Sequence, residues 1–90
     1  MKVKISQAEF DKIEELVNCA LSANNKAEAQ KYISQIRYVC MDLNGYANTV
    51  LHSLISSVER ASGRVTDKER LKGFAYTDLV KLQEIGRAHV

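Results

Sequence analysis

Few side chains in this 90-residue sequence have the type and spacing for covalent or acid–base chemistry. The candidates are two histidines, His52 and His89, and two cysteines, Cys19 and Cys40. No CxxC, HExxH, GxxxxGK[ST] or GxSxG pattern surrounds them. A Cys40–His52 dyad would join residues roughly 18 Å apart if one helix carries both, far beyond proton-transfer reach within one chain. His52 has Asn48 and Thr49 behind it and Ile55 and Ser56 ahead at helical spacing, so no carboxylate stands ready to complete a metal site. No metal, no cofactor and no catalytic residue is expected. Asn48, His52 and Ser56 do share one side of a helix and would supply the polar groups of a ligand site there.

Over a short stretch, His52-Ser53-Leu54 resembles the phosphoacceptor helix of histidine phosphotransfer domains, in which the histidine is followed by a leucine, a lysine and a glycine. Here Ile55 and Ser56 come next, so the lysine that would neutralise the phosphoryl group is missing. A phosphotransfer or ligand-binding helical domain centred on His52 is the weakest of three readings. The second is a small nucleic-acid-binding protein that touches phosphates through Arg60, Arg64, Lys68, Arg70 and Lys72. Glu59, Asp67 and Glu69 dilute that cluster, and the whole chain carries only +2. None of Tyr32, Tyr38, Tyr46 and Tyr76 is interleaved with it, so no base-stacking platform is visible.

The favoured reading starts from an absence of charge. Sixteen consecutive residues, Leu43 to Val58, carry none, although 24 charged side chains occupy the remaining 74 positions. Inward-facing positions account for only half of the run. Its other side holds Gly45, Tyr46, Asn48, Thr49, His52, Ser53, Ser56 and Ser57, where a solvated helix face normally carries Lys and Glu. Gly45, Thr49, Ser53 and Ser57 recur every four residues and stack into a ridge of small side chains that admits a second helix closely. Either a helix of the same chain covers this ridge, or a second copy does. A twofold contact is self-complementary and is the favoured expectation. Lys26 and Lys31 represent the ordinary charged surface of the same helix.

The elements that position these residues can be read from capping and periodicity. Ser6-Gln7-Ala8-Glu9 is a capping box, with Ile5 and Phe10 as a hydrophobic staple. Phe10, Ile13, Leu16, Val17, Ala20 and Leu21 then form one apolar face. Asn25 and Glu28 open a second helix. Its apolar stripe runs Ala29, Ile33, Ile36, Cys40, Leu43, Ala47, Val50, Leu54 and Val58, holding one phase across Asn44-Gly45. Because an internal glycine costs only about 1 kcal/mol against alanine, the phase predicts one helix over about 26–61, some 54 Å long, with a kink at Gly45 as the lesser alternative. Thr66-Asp67-Lys68-Glu69 opens a third helix. Its stripe (Leu71, Phe74, Ala75, Leu79, Leu82, Ile85) is interrupted once by Asp78, admits a break near Gly73 or Tyr76-Thr77, and ends at Gly86.

The expectation is therefore an all-α protein of three helices, a long central one flanked by two shorter antiparallel ones, forming a single helical domain over 1–90 and a bundle-like homodimer. The long helix would leave surface uncovered in a monomer. With no proline, four glycines and 46% apolar residues, the composition suits helices, excludes intrinsic disorder and argues against an all-β fold. A short pairing of residues 2–5 is the most sheet that is expected. No leader, lipidation signal or apolar span of about 18 residues is visible. Cys19 and Cys40 read as reduced thiols of a cytoplasmic protein, spaced too far apart along antiparallel helices to be bridged. The function expected is a non-enzymatic protein–protein interaction module, a homodimer with an unidentified protein partner and no membrane attachment.

Overall fold

A computed structural model describes residues 5–88, with side chains described up to Ile85. The possible pairing of residues 2–5 falls largely outside those residues. Four helices follow one another: α1 (Gln7–Leu21), α2 (Lys26–Val39), α3 (Gly45–Ala61) and α4 (Lys68–Ala88). The all-helical class agrees with the sequence reading, whereas the helix count does not.

The capping box opens α1 as its residues dictate. Ser6 Oγ accepts from the Glu9 backbone N–H at 3.1 Å, and Glu9 Oε1 accepts from the Ser6 N–H at 2.9 Å. Ile5 and Phe10 are both buried beside it. At the start of α2, Asn25 Oδ1 accepts from the Glu28 N–H at 2.8 Å, and the Glu28 carboxylate reaches one residue further back, to the Asn24 N–H.

The long helix over 26–61 is replaced by α2 and α3, separated by a five-residue turn. Cys40 leaves helical geometry (φ −116°, ψ 25°), and its carbonyl accepts from the Leu43 N–H. Asn44 is extended and hydrogen-bonds through its side chain to the Asp42 carbonyl. Gly45 takes φ +69°, the left-handed region that an L side chain rarely occupies. The heptad phase survives because the turn buries Cys40 and Leu43 on the same side as the helices around it. Every residue of the stripe is buried; only the continuity of the backbone differs from the expectation. A straight helix of some 54 Å would expose its flanks, and folding it in half closes them.

Helix α4 also departs from its expected limits. Asp67, at φ +58°, occupies the cap position in place of Thr66, and its carbonyl accepts from the Leu71 N–H. Aspartate is among the few L residues that tolerate this conformation. The helix then runs unbroken through Gly73 and Thr77 and on past Gly86 to Ala88.

Packing joins consecutive helices into two hairpins, α1 with α2 and α3 with α4, while α2 also touches α3 and α1 touches both α3 and α4. Ile13, Val17, Ile33, Ile36, Leu54, Val58 and Leu82 fill the centre. Two lysines close the C-terminal end of α3. Lys26 Nζ donates to the carbonyls of Glu59 (2.8 Å) and Ser62 (3.4 Å), and Lys68 Nζ to those of Ala61 and Gly63 (both 2.8 Å). Cations are favoured where the helix dipole is negative, and the last carbonyls of a helix lack the full set of intrahelical donors. Lys26 is thus not ordinary charged surface. The radius of gyration, 12.4 Å, matches the ~12 Å of a compact chain of this length. The monomer therefore does not leave the uncovered helix flanks that a 54 Å rod would.

Candidate functional site

Helix α3 presents two different sides outside its buried stripe. On the outer side, Gly45, Thr49, His52 and Ser56 are exposed and Asn48 is half-buried. Thr49 Oγ1 turns inward to the Gly45 carbonyl at 3.4 Å. The outer side thus offers amide, hydroxyl and imidazole groups without a formal charge. Tyr46, 66% exposed, stands at its N-terminal end. Tyr38 in the last turn of α2 and Met41 in the connecting turn are each 76% exposed. Tyr38 and Val39 also border a shallow groove of about 320 Å³ formed with Lys12 and Leu16 of α1. Three large side chains therefore lie bare around one turn, continuous in sequence with the uncharged face.

The other side of α3 faces α4. Ser53 Oγ donates to Asp78 Oδ2 at 2.9 Å, and Ser57 Oγ donates to the same oxygen at 3.2 Å. The ridge of small residues is thus divided. Among the described residues, Gly45 and Thr49 make no hydrogen bond to another helix, while Ser53 and Ser57 are tied to α4 of the same chain. Asp78 is only 8% exposed. A carboxylate so far out of water needs hydrogen bonds to remain there, and the two hydroxyls supply them. Arg60, Leu71, Phe74 and Lys81 surround this pair of serines, forming a groove of about 250 Å³ between α3 and α4.

Three of the five basic residues have partners of their own. Lys68 is committed to the α3 carbonyls, Arg70 pairs with Asp67 at 3.6 Å, and Lys72 pairs with Glu69 at 3.7 Å. Arg60 turns toward the α3–α4 groove, and Arg64 is exposed on the loop between those helices. His52 lies a helical turn from Asn48 and Ser56, with no cation or carboxylate hydrogen-bonded to it among the described residues. Cys19 is half-buried and Cys40 buried, and neither forms a disulfide. No group of three His, Cys, Asp or Glu side chains among the described residues is placed to hold a metal ion. No helix there is long and apolar enough to cross a membrane.

Comparison with known proteins yields no matching family model, no matching characterised protein and no matching solved structure. The surface itself must therefore indicate the function. Sequence reasoning selected Ser53, Ser57 and Arg60 but missed their neighbours Asp78, Phe74 and Lys81. The available signal was Asp78 itself, the one polar residue in the apolar stripe of α4. A carboxylate at a core position implies a donor on the facing helix, and the serines at spacing four were the donors to look for.

Proposed function

We propose that this protein is a non-enzymatic protein–protein interaction module that works as a helical homodimer. The observation that supports it is the outer side of α3, which stays uncharged and solvent-facing while running into the bare side chains of Tyr46, Met41 and Tyr38. Exposed tyrosine and methionine beside neutral polar groups match the composition of interface cores, from which Lys and Glu are depleted. A second copy suits this surface for an electrostatic reason. A twofold contact brings each patch against itself, so any net charge would meet its like, and the α3 part of this patch, within the uncharged run Leu43–Val58, has none to repel. Ser53 and Ser57 are engaged by Asp78, so the contact centres on Tyr46, Thr49 and His52 rather than on the whole ridge. The groove between α1 and α2 leaves room for a further protein partner.

Sedimentation velocity across the micromolar range tests the reading. The wild type is expected to dimerise, and Thr49→Lys or Tyr46→Glu to run as folded monomers, because an unpaired charge in a dry contact costs several kcal/mol. Lys31→Glu, on the exposed surface of α2, should leave the dimer intact. A monomeric wild type at the highest concentration would overturn the proposal.

A further inference from the structure

The groove between α3 and α4 is bordered by a carboxylate and two cations, apart from the uncharged outer side of α3. We propose that it takes a small zwitterion of the α-amino acid class, with acidic amino acids preferred. The inference rests on how charge is arranged around Asp78. Both serine hydroxyls donate to one carboxylate oxygen, Oδ2. The other, Oδ1, receives no donor among the described residues. No buried side-chain oxygen there lacks a partner, so Oδ1 is not sealed in, and Asp78 lines the groove. A carboxylate accepts up to about four hydrogen bonds, and this one is left with its outward-facing capacity unused. An ammonium is the complementary group, since a charge-assisted bond to a desolvated carboxylate is about twice as strong as a neutral one.

Two cations border the same groove from opposite helices, Arg60 on α3 and Lys81 on α4. Neither forms an ion pair with a described residue, in contrast to Arg37, Arg70 and Lys72. One internal carboxylate and two rim cations leave a positive excess. A simple anion would be repelled by Asp78, and a simple amine by Arg60 and Lys81. A molecule carrying an ammonium and one or two carboxylates satisfies all three groups. Phe74, 55% exposed, forms an apolar wall against which its methylenes can lie. The volume, about 250 Å³, falls below the ~300 Å³ at which pockets for drug-sized ligands begin. That size suits a free amino acid.

Amide chemical shifts recorded by NMR during titration decide the matter, with L-glutamate, glutarate, which lacks the amine, and inorganic phosphate as probes. Glutamate should shift Ser53, Ser57, Phe74 and Asp78 saturably, in the low millimolar range or tighter, and glutarate should bind at least tenfold more weakly (about 1.4 kcal/mol). Asp78→Asn keeps an acceptor for the serines and should lose glutamate binding tenfold or more. Arg60→Gln and Lys81→Gln, both at the rim, should weaken glutamate without altering the fold, whereas His52→Gln should change nothing. Equal binding of glutamate and glutarate, binding of phosphate alone, or no saturable shift with the folded wild type would each overturn the proposal. Dimerisation is read separately by sedimentation, so failure of one proposal leaves the other standing.

Discussion

Two glycines in this chain have opposite physical roles, and the difference is measurable. Gly63, in the loop after α3, takes φ +73°, and a Cβ there would lie 3.3 Å from both the Asn25 Cα and the Lys26 nitrogen. Those are backbone atoms at the start of α2, which cannot step aside as a side-chain end can. Left-handed geometry alone costs an L residue about 1–2 kcal/mol, so Gly63→Ala should destabilise by about 2 kcal/mol or more. Gly73 sits inside α4, where an added methyl group would find nothing within 4 Å. There the substitution removes only the entropy penalty of glycine in a helix, and Gly73→Ala should stabilise by about 0.5–1 kcal/mol. Urea denaturation of the two variants, with unchanged slopes, reads both signs. Two changes in the same direction would contradict the backbone conformation described for one of the two glycines.

At the level of elements, α1 was legible almost whole, because its signals are local: a capping box, a staple and one apolar face. The core was legible too, since every member of the Ala29–Val58 stripe is buried. Chain continuity was not, and the reason is general. Periodicity reports which residues face inward, and a turn that buries Cys40 and Leu43 preserves the spacing that a helix would show. The local signal, Asn44-Gly45, was outweighed because a mid-helix glycine is cheap, whereas a left-handed glycine at a helix start is a different use of the same residue. The candidate site was legible on α3 but not on α4, because its pairing depends on Asp78 meeting Ser53 and Ser57 across two hairpin arms.

The end of α3 gives this scale its own test. Lys26 and Lys31 look alike in sequence, yet only Lys26 reaches across to the Glu59 and Ser62 carbonyls. Replacing it with Met should cost about 1 kcal/mol, within the usual range for a hydrogen bond made by a charged group after allowance for its exposure. Lys31→Met should be neutral within about 0.5 kcal/mol. Thermal melts of the pair, compared at one protein concentration, check the assignment.

For the molecule as a whole, compactness moves the case for self-association from the backbone to the surface. A 54 Å rod would have required a partner to cover it; a chain folded into two hairpins does not. The proposed dimer is therefore a contact between finished monomers, and its variants should dissociate without unfolding. The same pairing of consecutive helices has a consequence in time. Each hairpin closes through contacts between chain neighbours, so the search for the native topology involves short loops, and helical proteins of this type refold in microseconds to milliseconds. The chain contains no proline, so the isomerisation that delays many proteins by tens of seconds has no bond on which to act. Stopped-flow refolding should thus be complete within its first tens of milliseconds, as a single exponential, with no slow tail at any final denaturant concentration.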